Sequence, residues 1–243
     1  YQHARLGAFN LHGSLLPRYR GAAPIHHAVM QGDARTGVTT FFLKEKVDTG
    51  HIILQESLEI GPDETTGDVY DRMKQLGARV VVDTVIAIAS GTVAEHPQDD
   101  AEATPAPKVF ADDGCVDWSQ DADIVHNFIR GYSPAPGAWT MHDGTRLRLL
   151  RSTRALKHVG EHEDQRNDSD DNGSIGSIGS IGNGTHPPGT VIRCGEELVV
   201  ACKSGAVGIT EVQRQGGRPM DAASFLHGYR ISPGDRFGCP ADD

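Results

Sequence analysis

Apolar residues recur at helical spacing through Val69, Met73, Leu76, Val80, Val81, Val85 and Ile88. The polar run Pro62-Asp63-Glu64-Thr65-Thr66 ahead of them supplies acidic and capping residues. The pattern predicts one long amphipathic helix, stopped by Gly91, that covers one face of a sheet. The longest apolar stretch, 80–89, is interrupted by Asp83 and reads as buried helix, too short and too polar to span a membrane. Residues 37–43 and 51–56 follow a different pattern, rich in β-branched, aromatic and aliphatic side chains, and predict two strands. Residues 44–50 join them as a hairpin-like connection that carries Asp48. Before these strands, Pro24 and Gly32 mark the two ends of a short helix.

Past residue 97 the patterning changes. Residues 98–107 are polar, include Pro105 and Pro107, and read as a linker. A helix follows through Ile124, Val125, Phe128 and Ile129, with Ser119 as its expected N-cap. Short strands are predicted at 138–141, 146–150, 190–193, 198–202 and 207–212, with a last helix at 221–226. Short strands separated by Gly-bearing turns predict a small β-barrel. Residues 158–188 have no place in it. They are acidic and then repeat Ser-Ile-Gly through 174–182, which predicts a disordered insertion looped out between two strands.

A chain of 243 residues accommodates one large domain or two smaller ones, and a 37% hydrophobic content suits a globular protein. The net charge of −10 argues against a general nucleic-acid binder. Arg146, Arg148, Arg151, Arg154 and Lys157 are a local exception, which charge alone would assign to a solvated strand face. Cys115, Cys194, Cys202 and Cys239 show no metal-ligand spacing, so reduced thiols and no metal are expected.

The chemistry concentrates in Asn10-Leu11-His12-Gly13-Ser14-Leu15-Leu16-Pro17, with Arg20-Gly21 behind it and Asp48-Thr49-Gly50 further on. On an extended segment Asn10 and His12 share one side, roughly 7 Å apart. An amide donor and an imidazole aimed at one point can grip an oxyanion and handle a proton there. Asp48 is the carboxylate best placed to complete the group. Singly, each residue reads as a polar strand face or a turn former.

Together, Asn-x-His-x-Ser-Leu-Leu-Pro-x-x-Arg-Gly and the later Asp-Thr-Gly resemble the signature of formyltransferases that use 10-formyltetrahydrofolate. Asp117-Trp118-Ser119, the run from Asn127 to Thr140 and the closing Gly234-Asp235-Arg236-Phe237-Gly238 are similar to the methionyl-tRNA formyltransferases among them. The resemblance implies an α/β chain: a partial Rossmann-like formyltransferase domain at 1–97, a linker at 98–107, and an OB-like β-barrel domain at 108–243. The signature arrives by residue 10, where the family carries it near the middle of a domain. The N-terminal part is therefore expected to be missing, and the strand bearing Asn10 and His12 to be a parallel one without its sheet partners.

By the same resemblance Asn10, His12 and Asp48 form the catalytic trio, and Ser14, Leu15, Leu16 and Pro17 form the folate-contacting loop. Arg146, Arg148 and Arg151 become candidate contacts to tRNA. Arg20 is either a contact to the acceptor end or a brace for Gly21. Asn10 would donate to the oxyanion, His12 would stabilise it or relay a proton, and Asp48 would orient His12. The implied reaction moves a formyl group from 10-formyltetrahydrofolate to the α-amine of initiator methionyl-tRNA, by a cytoplasmic monomer that needs no metal and no membrane. Two other readings remain open: a formyltransferase acting on an amino-sugar nucleotide, and a non-catalytic RNA-binding remnant.

Overall fold

A computed structural model describes residues 4–154 and 186–240. Strands β1 (Phe9–His12), β2 (Arg35–Phe42) and β3 (Ile52–Glu59) form a three-stranded sheet in that order. β1 pairs antiparallel with β2, Asn10 opposite Phe41 and His12 opposite Thr39. The parallel pairing expected for this strand is thus not the one made with β2. Alternation with period two is the same in either direction, so the pattern locates a strand without orienting it.

Helix α2 (Thr66–Ser90) lies on this sheet and ends at Gly91, whose φ of 68° is left-handed. Its start is closed by a reciprocal capping box: Thr65 accepts from the Asp68 N–H, and the Asp68 carboxylate accepts from the Thr65 N–H. Val69, Met73 and Val80 are buried with Val38 of β2, and the Thr40 and Thr84 hydroxyls meet at 2.8 Å. Val85, expected on the buried face, is exposed together with Ile86.

The second sheet runs β4-β5-β8-β7-β6, from β4 (Ala138–His142), β5 (Thr145–Arg154), β6 (Val191–Cys194), β7 (Leu198–Ala201) and β8 (Ala206–Arg214), with β9 (Met220–Asp221) against β8. Helices α3 (Ala122–Tyr132) and α4 (Ala222–Gly228) pack on it, burying Val125, Ile129 and Phe225 against Leu147, Leu149, Leu198 and Ile209. The path is open: β4 and β6 are its two edges. Residues 234–238 run between those edges, where Met141 N–H donates to Gly238 O (2.8 Å) and Val191 N–H to Asp235 O (2.8 Å). The expected insertion at 158–188 lies outside the described residues except for 186–188.

Two local expectations are corrected. The N-cap of α3 is Asp121, because the Asp117 carboxylate takes both the N–H and the hydroxyl of Ser119 and closes a separate turn there. The four thiols are not all free: Cys115 and Cys239 form a disulfide, and Cys194 and Cys202 remain as thiols. The partners are 124 residues apart, so no spacing rule could pair them. Burial, reinforced by Asp121, pushes the Cys202 thiol up to about 12.

The two sheets are held together by specific contacts. Helix α1 (Pro24–Met30) meets α3 where a side chain on Gly131 would lie 2.2 Å from Met30 Cγ, so the close approach requires glycine. Thr66 Oγ1 donates to Gly131 O (2.7 Å), and Arg151 grips both oxygens of Asp68 (3.0 and 2.8 Å). The fully buried His126 donates from Nε2 to Pro62 O (3.0 Å), while Ser152 Oγ sits 2.9 Å from Nδ1.

Candidate active site

Strand alternation places His12 on the β1 face opposite α2, beside Phe41 (ring centroids 6.5 Å apart). The His12 ring is 6% exposed and its Nε2 lies 2.8 Å from Tyr19 O. A carbonyl only accepts, so Nε2 carries a hydrogen and Nδ1 is left to face the site. Asp48 Oδ2 lies 3.7 Å from that Nδ1. The separation is too long for a direct hydrogen bond and short enough to stabilise an imidazolium.

Asp48 reaches this position because the turn after β2 puts it at φ 55°, a left-handed conformation that Asp tolerates better than most residues. Oδ2 accepts from the Gly21 N–H (2.9 Å), which aims the carboxylate. Two residues on, a side chain at Gly50 would lie 1.5 Å from Phe42 O, so only glycine lets the turn fold back on β2. Asn10 is exposed on the same strand side as His12, and among the described residues its amide has no hydrogen-bond partner. An unengaged amide, a one-end-anchored imidazole and a held carboxylate therefore share one edge of the sheet. Together they can donate to an oxyanion and shuttle one proton.

The loop after β1 is held by hydrogen bonds within itself and to β2. Ser14 Oγ donates to Arg18 O (2.6 Å), Thr39 Oγ1 donates to Ser14 O (2.6 Å), and the Leu16 N–H donates to Thr39 Oγ1 (3.1 Å). Ser14 and Leu16 turn their side chains into the protein, while Leu15 and Pro17 are half-buried. Tyr19, whose carbonyl anchors His12, is fixed in turn. Its hydroxyl donates to Asp33 Oδ2 (2.8 Å), and burial followed by this hydrogen bond pushes the phenol up to about 12.

Arg20 is engaged within the protein. Its guanidinium donates twice to Gln98 Oε1 (3.1 and 2.8 Å) and pairs with Asp100 (2.8 Å). The basic stripe on β5 is engaged within the protein. Arg148 donates to Gln213 Oε1, Pro134 O and Pro136 O, and Arg146 lies 3.9 Å over the Trp139 ring and donates to Ala111 O. Arg151 holds Asp68, and Arg154 approaches Asp123 at 3.6 Å. Arg151 and Arg154 remain exposed, and Lys157 lies outside the described residues. A cleft of about 760 Å³ lined by Leu11, Val38, Tyr70, Met73 and Val81 lies on the other side of β1 and includes none of the trio.

Residues 1–85 match the family model described as formyl transferase, and residues 108–230 match the model described as formyl transferase, C-terminal domain. The methionyl-tRNA formyltransferase of Heliobacterium modesticaldum is 42% identical over 229 residues, an alignment covering 94% of this chain and 67% of that protein. The methionyl-tRNA formyltransferase of Porphyromonas gingivalis strain W83 is 43% identical over 236 residues, covering 96% of this chain and 68% of that protein. The chain belongs to the methionyl-tRNA formyltransferase family. Among solved structures, an N-formyltransferase from Helicobacter canadensis in complex with folinic acid and dTDP-3-aminofucose is similar in fold. Its TM-score is 0.63 at 18% identity, over 85% of this chain and 65% of that one.

In this member of the methionyl-tRNA formyltransferase family, three elements of the candidate site escaped sequence reasoning. Tyr19 and Gly21 act through backbone groups, which no side-chain pattern reveals, although both sit inside the motif. Gln98 falls in the stretch read as a linker, and nothing in the sequence joins it to Asp48, 50 residues earlier.

Proposed function

We propose that the protein transfers a formyl group from 10-formyltetrahydrofolate to the α-amine of methionyl-initiator-tRNA. Family membership supports the reaction class. The observation that carries the mechanism is the His12 ring, anchored through Nε2 with Nδ1 turned toward the Asp48 carboxylate at 3.7 Å. The neutral amine attacks the formyl carbon, and a carbon–nitrogen bond forms. Asn10 donates a hydrogen bond to the resulting oxyanion. His12 takes the amine proton on Nδ1, where Asp48 stabilises the imidazolium. Collapse breaks the bond from the formyl carbon to the folate nitrogen, and that nitrogen receives the proton from His12. Formyl-methionyl-tRNA and tetrahydrofolate leave. The Tyr19 contact favours the proton relay over the oxyanion role for His12, because its Nε2–H is already donated.

On this reading the backbone of residues 14–17 flanks the folate, and 108–243 forms an OB-like barrel that holds the tRNA. The backbone contacts of 234–238 between β4 and β6 support that barrel. The exposed Arg151, with Arg146, faces the nucleic acid, whereas Arg20 and Arg148 brace the protein. Residues 1–97 then form the catalytic Rossmann-like unit, joined through 98–107 and working as a cytoplasmic monomer. Offering initiator methionyl-tRNA and a dTDP-amino-sugar in parallel, with 10-formyltetrahydrofolate as donor, tests the assignment. Formylation of the tRNA alone is expected. Formylation of the sugar alone would overturn it.

A further inference from the structure

The segment between the two sheets reaches the candidate site at both of its anchored groups. Gln98 Nε2 donates to Asp48 O (2.9 Å) and to Gly50 O (2.8 Å), so one amide spans the turn that presents the carboxylate. Its Oε1 is held in place by two guanidinium hydrogen bonds from Arg20, whose remaining nitrogen pairs with Asp100. Further along, Thr104 Oγ1 accepts from the Tyr19 N–H (2.9 Å), and Thr104 O accepts from the Arg20 N–H (2.8 Å). Tyr19 is the residue whose carbonyl anchors His12, and the neighbouring Gly21 aims Asp48. The Asp48 turn carries a left-handed non-glycine residue, so it depends on its surroundings for a fixed shape.

From this geometry we propose that Gln98 is a positioning residue. By bridging Asp48 O and Gly50 O while clamped by Arg20, it fixes the carboxylate relative to the His12 ring. The segment at 98–106 is thereby part of the catalytic architecture and more than a tether. The claim rests on the function proposed above. Gln98 touches no reacting atom and acts only through the turn. Small displacements of a catalytic group lower turnover steeply while leaving binding contacts intact.

The test is Gln98→Glu, which keeps the side-chain size and removes both donors. In the full protein, kcat is expected to fall on the order of tenfold or more, with KM for folate and for tRNA within roughly twofold. Hydrogen exchange at the Gly21 amide, which donates to Asp48 Oδ2, is expected to accelerate by about tenfold, with Val80 in α2 unchanged. Asp83→Asn, an exposed substitution on α2 away from this segment, is expected to retain kcat. Unchanged kcat in Gln98→Glu, or exchange rising equally at Gly21 and Val80, would overturn the proposal. If the wild-type protein formylates neither acceptor, the functional reading has failed, and Gly21 exchange alone then decides whether Gln98 sets the turn.

Discussion

His12 is tethered at one nitrogen and open at the other, and this asymmetry determines what each substitution should do. On the proposed mechanism Asn10→Ala should remove a donor worth about 3 kcal/mol to an oxyanion, an expected loss of roughly 100-fold in kcat. His12→Ala and Asp48→Asn are expected to lower turnover at least as far, with thermal unfolding little changed, as checked by single-turnover formylation and calorimetry. Normal turnover in Asp48→Asn would remove the carboxylate from the trio. At this scale the sequence was informative about which side chains share a face. Asn10 and His12 share a strand face by simple alternation, and the structure keeps them on that face. It gave Gly21 only a place in the motif, and Tyr19 and Gln98 no role, because their contributions are an N–H, a carbonyl and an amide that depend on chain reversal.

Helix α2 is the element most fully foreshadowed by its residues, with its capping box at Thr65 and its left-handed stop at Gly91. Asp68 does double duty there, closing the cap and accepting Arg151 from β5. Burial pushes its carboxyl upward, but the Arg151 and Thr65 hydrogen bonds outweigh it, and the group is held below the usual carboxylate range. A folded-state pKa below the unfolded one adds stability above about pH 4 and loses it as the pH falls further. Asp68→Asn is therefore expected to lower stability near neutral pH, with the difference from wild type shrinking in acid, measured by urea titration. Elsewhere the same reasoning failed for a physical cause. Ser119 looked like a cap, but Asp117 stands two residues before it and captures both of its donors. The direction of β1 was illegible because a four-residue strand carries no mark of its partner's polarity.

For the molecule as a whole, stability depends on the junction between the sheets and on the Cys115–Cys239 bond. His126 is wholly enclosed at that junction, and burial depresses its pKa despite the Pro62 contact. A histidine that resists protonation when folded binds more protons when unfolded, so stability falls as pH drops below about 6.5. Thermal unfolding between pH 7 and pH 5 should show this slope, and His126→Gln should flatten part of it. The α/β composition and the strand positions of the second sheet were legible in the chain. The joining of Cys115 to Cys239 was not, since only the folded path brings them together. Reducing that bond is expected to cost on the order of 2–4 kcal/mol, seen as a lower urea midpoint with dithiothreitol than without. The bond also makes residues 115–239 a covalent ring. A protease that severs any single peptide within it, including one in the acidic stretch or the Ser-Ile-Gly repeats, would leave one molecule heavier by a single water, and a gel would separate the two pieces once the bond is reduced.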